Sequence, residues 1–174
     1  MNKIQIFIIS FLPILPLMLI DYKIAAIYLL LWLDKVPLGI LSIPRMVGIE
    51  FTTVSTLLLG ILYGPPGTAF IFFAVPILDG VRSLFVKIDS EWPPFVPGFA
   101  NIVDALLVIV AFVLASQDIF VIMIAILLIK YAVHETKDMV YGKPFDFMVI
   151  PNFVFNLVVL LMFKDLILSF IVTQ

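Results

Sequence analysis

Cysteine is absent from the chain, which excludes a disulfide framework, thiolate metal ligands and a cysteine nucleophile. Histidine is almost absent too, since His134 is the only one in 174 residues. Charged residues make up only 13% of the chain, against about 25% in an ordinary soluble domain. The net charge is −2, and the charged residues are scattered along the sequence. Because nucleic-acid binding needs a basic patch or stripe, we expect no nucleic-acid partner.

Apolar residues take the place of the missing charge. They form 64% of the chain, and the mean hydropathy is +1.26, whereas soluble domains are about 45–50% apolar. Since no soluble core needs this much apolar surface, we predict a multi-pass protein of the cell membrane, embedded in the lipid bilayer. The length suits a single integral membrane domain over residues 1–174 rather than two domains.

Long apolar runs predict an all-α, polytopic transmembrane bundle of six to seven helices. Crossing a hydrocarbon core about 30 Å thick takes roughly 20 helical residues. The runs also lack the two-residue alternation of a membrane β-barrel. The predicted spans are 4–20, 24–43, 47–63, 67–88, 99–115, 118–134 and 146–172.

The first two spans need separate interpretation. Residues 4–20 resemble a signal peptide, but no small-residue cleavage site follows them, so we interpret them as a retained membrane helix. The second span is interrupted by Asp34-Lys35 and then by Pro37 and Gly39. Two interpretations of it stay open, a kinked crossing and a re-entrant piece with an interfacial tail.

The connections between spans differ in kind. Gly64-Pro65-Pro66-Gly67 predicts a minimal turn, in which Gly64 ends one helix in the left-handed region and proline opens the next. Asp118 is a predicted N-cap after an equally short turn. Because successive spans cross the membrane in opposite directions, the longer connections 34–46, 89–98 and 135–145 lie on the side opposite to these two tight turns. Most basic residues after position 46 lie near that side, so the positive-inside rule makes it cytoplasmic.

Polar residues inside the apolar spans are the strongest functional candidates, because burying them in lipid costs free energy. They come from five spans and lie in the half of the bundle nearest the longer connections. Spacing puts Asp79 and Arg82 on one helical face, where they can pair. Two interpretations stay open, a polar pocket and hydrogen-bonded contacts that hold helices together. The candidate ligand-binding residues are Glu50, Asp79, Arg82, Asn101, Asp104, His134, Asn152 and Asn156.

Two shorter patterns each have more than one explanation. His134-Glu135-Thr136-Lys137-Asp138 is similar to a helical zinc-protease motif, but Asp138 stands where the second histidine belongs. His134, Asp138 and Asp104 form one possible metal site. A charged helix end accounts for the same residues, so we expect no catalytic residue, metal or cofactor. Ala111 and Ala115 are spaced for close helix approach, either within the bundle or against another subunit.

Residues 48–82 carry a resemblance to a known family. A helix rich in small residues reaches the turn Gly64-Pro65-Pro66-Gly67, and Ala69 and Asp79 follow in the next helix. This arrangement resembles the substrate-binding S components of energy-coupling-factor transporters and the related MreD-like membrane proteins. The resemblance implies six helices and a small-molecule pocket near the extracytoplasmic surface. Spans 4–20 and 24–43 give one helix more, and the implied orientation is opposite to the one that the basic residues predict.

Three functional hypotheses follow. The first is a non-enzymatic, small-molecule-binding membrane subunit, similar to an S component, in which loops 34–46, 89–98 and 135–145 cover the candidate residues. It implies a small-molecule ligand and further membrane subunits as partners. The second is a scaffold or accessory subunit of a larger membrane complex, MreD-like in kind, with a filled interior. The third is an intramembrane enzyme that uses His134.

Overall fold

The computed structural model describes residues 2–41, 49–87 and 93–172. Within these residues the protein is all-helical, with seven helices. They are α1 (Lys3–Ile20), α2 (Tyr22–Leu41), α3 (Thr52–Tyr63), α4 (Pro65–Ser83), α5 (Phe99–Val113), α6 (Ile119–Val140) and α7 (Val149–Val172). The predicted fold class is confirmed.

Four of these helices, α1, α2, α6 and α7, are long and apolar enough to cross a membrane, and α3 and α5 are shorter apolar helices. The helices run up and down. We call the end at which α2 ends and α3 begins the charged end, since α4, α5 and α6 also have charged residues there and α7 has Asn152 and Asn156 there. The other end, which holds Asp21, Gly64 and Asp118, is the turn end. Tyr63 donates a hydrogen bond to Asp21 at the turn end, so the termini of α2 and α3 meet there.

The helix bounds differ from the predicted spans at several places, including the start of α3 at Thr52 rather than at residue 47. Helix α6 continues to Val140, past the predicted limit at residue 134, because His134 to Met139 contains no helix breaker and can extend beyond an apolar core. Helix α4 ends at Ser83 rather than at residue 88. Helix α1 is interrupted by a turn at Leu12-Pro13, as expected where proline removes a backbone donor.

The second predicted span is a continuous helix as far as Leu41. It passes through a π-helical turn at Asp34–Leu38, with Pro37 inside that turn. A wider turn accommodates a residue that cannot donate to the regular ladder. The remainder of the predicted 34–46 connection, from residue 42 onward, lies outside the described residues.

The two tight turns form where the sequence predicts them. Gly64 has φ 56° and ψ −130°, so its φ is positive but its ψ lies outside the left-handed region that the sequence predicts. The next helix begins directly at Pro65. Asp118 caps α6 by accepting a hydrogen bond from the backbone N–H of Phe120 at 2.8 Å. Local chemistry therefore sets both connections at the turn end.

The core centres on α3, whose residues from Thr52 to Gly60 are all buried. Gly60 lies directly against Ala111 of α5, since a Cβ at position 60 would be 2.3 Å from that of Ala111. Ala111 therefore belongs to an internal contact between α3 and α5, while Ala115 is exposed beyond the end of α5. By contrast, α1 and α7 carry many exposed large apolar side chains, as lipid-facing helices do.

Candidate ligand-binding cavity

A cavity of about 940 Å³ opens at the charged end of the bundle. Its wall combines side chains from α2, α4, α5 and α6 with the segments that precede α3, α5 and α7. Most of the wall is polar or charged, and Pro76, Phe95 and Phe99 supply apolar surface. The charged residues in the wall are Lys35, Glu50, Asp79, Arg82, Asp104, Lys130, Lys137, Asp138, Lys143 and Asp146.

Lys130 of α6 is the centre of the polar network. Its side chain is buried, with only 7% exposed. Lys130 Nζ donates a hydrogen bond to Glu50 Oε1 at 2.5 Å and to Thr53 Oγ1 at 3.2 Å. It also lies 3.0 Å from Asp104 Oδ1. One buried ammonium therefore joins α6 to α5, to α3 and to the segment before α3.

The network continues from Glu50 into α7. Asn152 Nδ2 donates a hydrogen bond to Glu50 Oε2 at 3.0 Å. Asn152 Oδ1 accepts hydrogen bonds from Tyr131 Oη and from Asn156 Nδ2. Since buried amides and hydroxyls in a bundle are costly unless paired, these contacts fix the position of α7 against α6 and α3.

Glu50 precedes α3 and is held as a carboxylate by this network. Burial by itself would raise its pKa. The neighbouring ammonium groups of Lys130 and Lys35, with the hydrogen bonds from Lys130 and Asn152, outweigh burial and lower the pKa of Glu50 below its usual value. Glu50 therefore stays ionised at neutral pH.

Two further ion pairs lie beside the network. Asp34 in the π-helical turn accepts a hydrogen bond from Thr52 Oγ1 at 2.5 Å and lies 3.3 Å from Lys35 Nζ. Arg82 is paired with Asp79 at 3.4 Å within α4. The pairing of Asp79 with Arg82 confirms the interaction that their spacing predicts.

The wall also contains an aromatic side chain in an unusual backbone conformation. Phe95 has φ 66°, a value that is uncommon for a residue other than glycine. Its ring lies over Gly80 of α4, where a Cβ would be 2.2 Å from the Phe95 ring. The glycine lets the ring approach α4 closely, and half of Phe95 stays exposed.

His134 contacts an aromatic ring at the cavity wall. Its imidazole meets Phe99 edge to face, with ring centroids 5.6 Å apart. Among residues 2–41, 49–87 and 93–172, no group of three or more histidine, aspartate or glutamate side chains is arranged to hold a metal ion. Asp104, one of the proposed metal ligands, is instead paired with Lys130.

Six of the eight candidate residues line the cavity: Glu50, Asp79, Arg82, Asn101, Asp104 and His134. Asn101 is buried, and its Oδ1 accepts a hydrogen bond from the backbone N–H of Gly98 at 2.7 Å, so it also caps α5. The other two candidates, Asn152 and Asn156, are not part of the wall. Asn152 supports Glu50 from behind, and Asn156 supports Asn152.

Three residues that matter at this site are not among the predicted candidates. Lys130 lies within an apolar span, where a lysine is itself a strong signal. Lys35 interrupts the second predicted span, and in the structure it lines the cavity beside Asp34. Phe95 precedes α5, and nothing in its local sequence indicates its position over Gly80.

Comparison of the chain with models of known protein families, with curated proteins and with solved structures finds no match. The fold and the cavity therefore define a class, a multi-pass helical membrane protein with a charged cavity at one end of the bundle. The resemblance to S components stays a prediction.

Proposed function

We propose that this protein is an integral membrane subunit that binds a small polar molecule in the cavity at its charged end. The single observation that supports this function is the cavity itself, about 940 Å³ in volume and lined by six of the eight residues that the sequence singles out. Ligand pockets in proteins are typically about 300–1,000 Å³. A bundle that needed its polar residues only to join helices would have no reason to leave this space.

The position of the cavity agrees with the resemblance to S components of energy-coupling-factor transporters. In that family the ligand lies under the loops at one end of the bundle. Here Phe95 and Val96 from the segment before α5, and Lys143 from the segment after α6, contribute to the wall. The proposed role is binding and handing over a solute, without covalent chemistry, and further membrane subunits would complete the transporter.

A second candidate function, a scaffold subunit similar to MreD-like proteins, has one observation in its favour. Several charges around the cavity are already paired within the chain, as in Lys130 with Glu50 and Arg82 with Asp79. A scaffold would use these pairs to fix helix positions. It would bind no solute, and filling the cavity would then change nothing except packing.

Filling the cavity separates the two functions. Ala100 is exposed and lines the cavity, whereas Ala115 is exposed at the turn end. The full chain and its Ala100→Trp and Ala115→Trp variants would be purified from membranes in mild detergent and examined by native mass spectrometry. We expect a bound small molecule on the parent protein and on Ala115→Trp, and its loss from Ala100→Trp. Absence of any bound small molecule, or its equal retention in both variants, would contradict the proposal.

A further inference from the structure

A cluster of charged side chains at the inner end of the cavity has more negative than positive charge. We call this cluster the cavity floor; Lys35, Glu50, Asp104 and Lys130 line the cavity, and Asp34 lies beside Lys35 without being part of the wall. Within the described part of the chain the cluster holds three carboxylates and two ammonium groups. Lys130 contacts both Glu50 and Asp104, and Lys35 pairs with Asp34 while also lying near Glu50, so the three carboxylates share two ammonium groups. One negative charge on the floor is therefore left without a cation of its own.

Asp104 is the floor carboxylate with the poorest set of partners. Glu50 accepts hydrogen bonds from Lys130 and Asn152, and Asp34 accepts one from Thr52. Asp104 is 4% exposed, and its Oδ1 has no hydrogen-bond partner of good geometry in the described residues, although Lys130 Nζ is 3.0 Å away. A buried carboxylate in this state is costly unless another donor reaches it.

The rim of the cavity, by contrast, is balanced. Arg82 is paired with Asp79, and Lys143 lies 3.5 Å from Asp138. An anionic ligand would have to displace a carboxylate from one of these cations. A cationic group that entered the cavity would meet Asp104, whose charge the protein leaves only partly compensated, and would add the missing positive charge.

We propose that the ligand of this cavity carries a protonated amine, and that the amine binds Asp104 on the cavity floor. This inference rests on the proposed function, because it names the chemical class of the molecule that the cavity accepts. The ammonium donates a charge-assisted hydrogen bond to Asp104. Phe95, half-exposed at the wall, offers apolar surface to the uncharged part of the ligand.

The test is a thermal-shift screen of the full chain in detergent against water-soluble small molecules sorted by charge, with each amine paired with its matching alcohol. We expect the stabilising compounds to be amines and their alcohol partners to be inactive. In Asp104→Asn, the dissociation constants of those amines should increase by about tenfold or more, because a hydrogen bond to a charged group is lost. Asp165→Asn is the matched control, since Asp165 is an exposed residue of α7 outside the cavity wall. Asp104→Glu should retain binding.

The outcomes distinguish the two proposals. If stabilising compounds are found but amines bind no better than their alcohols, or Asp104→Asn binds them as the parent does, the amine inference is wrong and the proposed function stands. If no compound stabilises the protein, both are wrong. The comparison of amines with alcohols on the parent protein decides the question even if Asp104→Asn does not fold.

Discussion

At the scale of single residues, Lys130 is the cation that compensates buried carboxylates at the charged end. Its ammonium is buried and contacts two carboxylates and a hydroxyl. A buried ion pair gives little net stability relative to apolar packing, but removing one partner leaves an uncompensated buried charge. Lys130 is therefore needed because Glu50 and Asp104 are there.

The first prediction concerns the loss of this ammonium. Lys130→Met preserves the length of the side chain but leaves Glu50 and Asp104 facing each other, and should lower the free energy of unfolding by about 3–5 kcal/mol. Thermal unfolding in detergent measures the change. Lys143→Met is the control, because the pair between Lys143 and Asp138 is solvent-exposed and its loss should cost less than about 1 kcal/mol. Equal destabilisation by the two variants would contradict the role given to Lys130.

The second prediction concerns pH. Since the folded state lowers the pKa of Glu50 below its usual value, its contribution to stability is present above the ordinary pKa of a glutamate and is lost as the pH falls through the lowered pKa. Each pKa unit of this lowering adds about 1.4 kcal/mol to the contribution. Glu50→Gln should remove it at neutral pH and flatten the acid limb of the stability profile. An acid limb of unchanged steepness in Glu50→Gln would show that other carboxylates cause the acid sensitivity.

At the scale of helices, the contact between α3 and α5 sets how closely the bundle packs. Gly60 permits it, because a Cβ there would lie 2.3 Å from Ala111 Cβ and 2.6 Å from the carbonyl oxygen of Val108. The obstacles are backbone and a short side chain, neither of which can rotate away. Helix α5 also carries Asp104, so this contact positions one wall of the cavity floor.

The third prediction concerns whether Gly60→Ala stabilises or destabilises the protein. In an open helix, glycine to alanine stabilises by about 1 kcal/mol, but Gly60→Ala should destabilise by about 1–3 kcal/mol through overpacking. Gly39→Ala in α2 is the comparison, since its nearest neighbour is the flexible Arg82 side chain, and it should be close to neutral. Thermal unfolding of both variants tests this, and a stabilised Gly60→Ala protein would refute the close contact.

Local chemistry explains which elements the sequence could predict. The turn at Gly64, the cap at Asp118 and the pairing of Asp79 with Arg82 involve residues at most four apart, so backbone preference and helical spacing determine them. The contact of Lys130 with Glu50 joins residues 80 apart. This contact depends on how far each helix is rotated about its axis and shifted along it relative to the other helices. Apolar runs of nearly uniform composition do not indicate either quantity. The same reason explains why Asn152 was predicted to line the cavity but lies behind Glu50.

At the scale of the whole molecule, charged side chains are concentrated inside the bundle at the charged end, and apolar side chains cover the outside of the bundle. Helices α1 and α7 present large apolar side chains outward, such as Leu19 at 90% exposed and Met162 at 73%. In water this surface would drive aggregation, whereas in a bilayer it is the favoured surface. The cavity is the opposite case, a charged space inside a bundle whose outside is largely apolar.

The fourth prediction concerns the placement of the two ends. Because the chain has no cysteine, single cysteines can be introduced at Lys143 on the charged end and at Gln117 on the turn end, both exposed. A membrane-impermeant maleimide added to intact cells should label one and not the other. Labelling of Gln117→Cys agrees with the positive-inside rule, and labelling of Lys143→Cys agrees with the orientation implied by the S components. Labelling of both from outside would contradict a membrane-spanning bundle.

The central claim is that the charged end holds a small molecule, and the most direct measurement is an experimental density map of the protein purified from its own membranes. The account predicts non-protein density inside the cavity, within hydrogen-bonding distance of Asp104, about 3 Å, and beside the ring of Phe95. A map in which side chains fill that space, or in which it contains only solvent after the amine compounds have been added, would contradict the account.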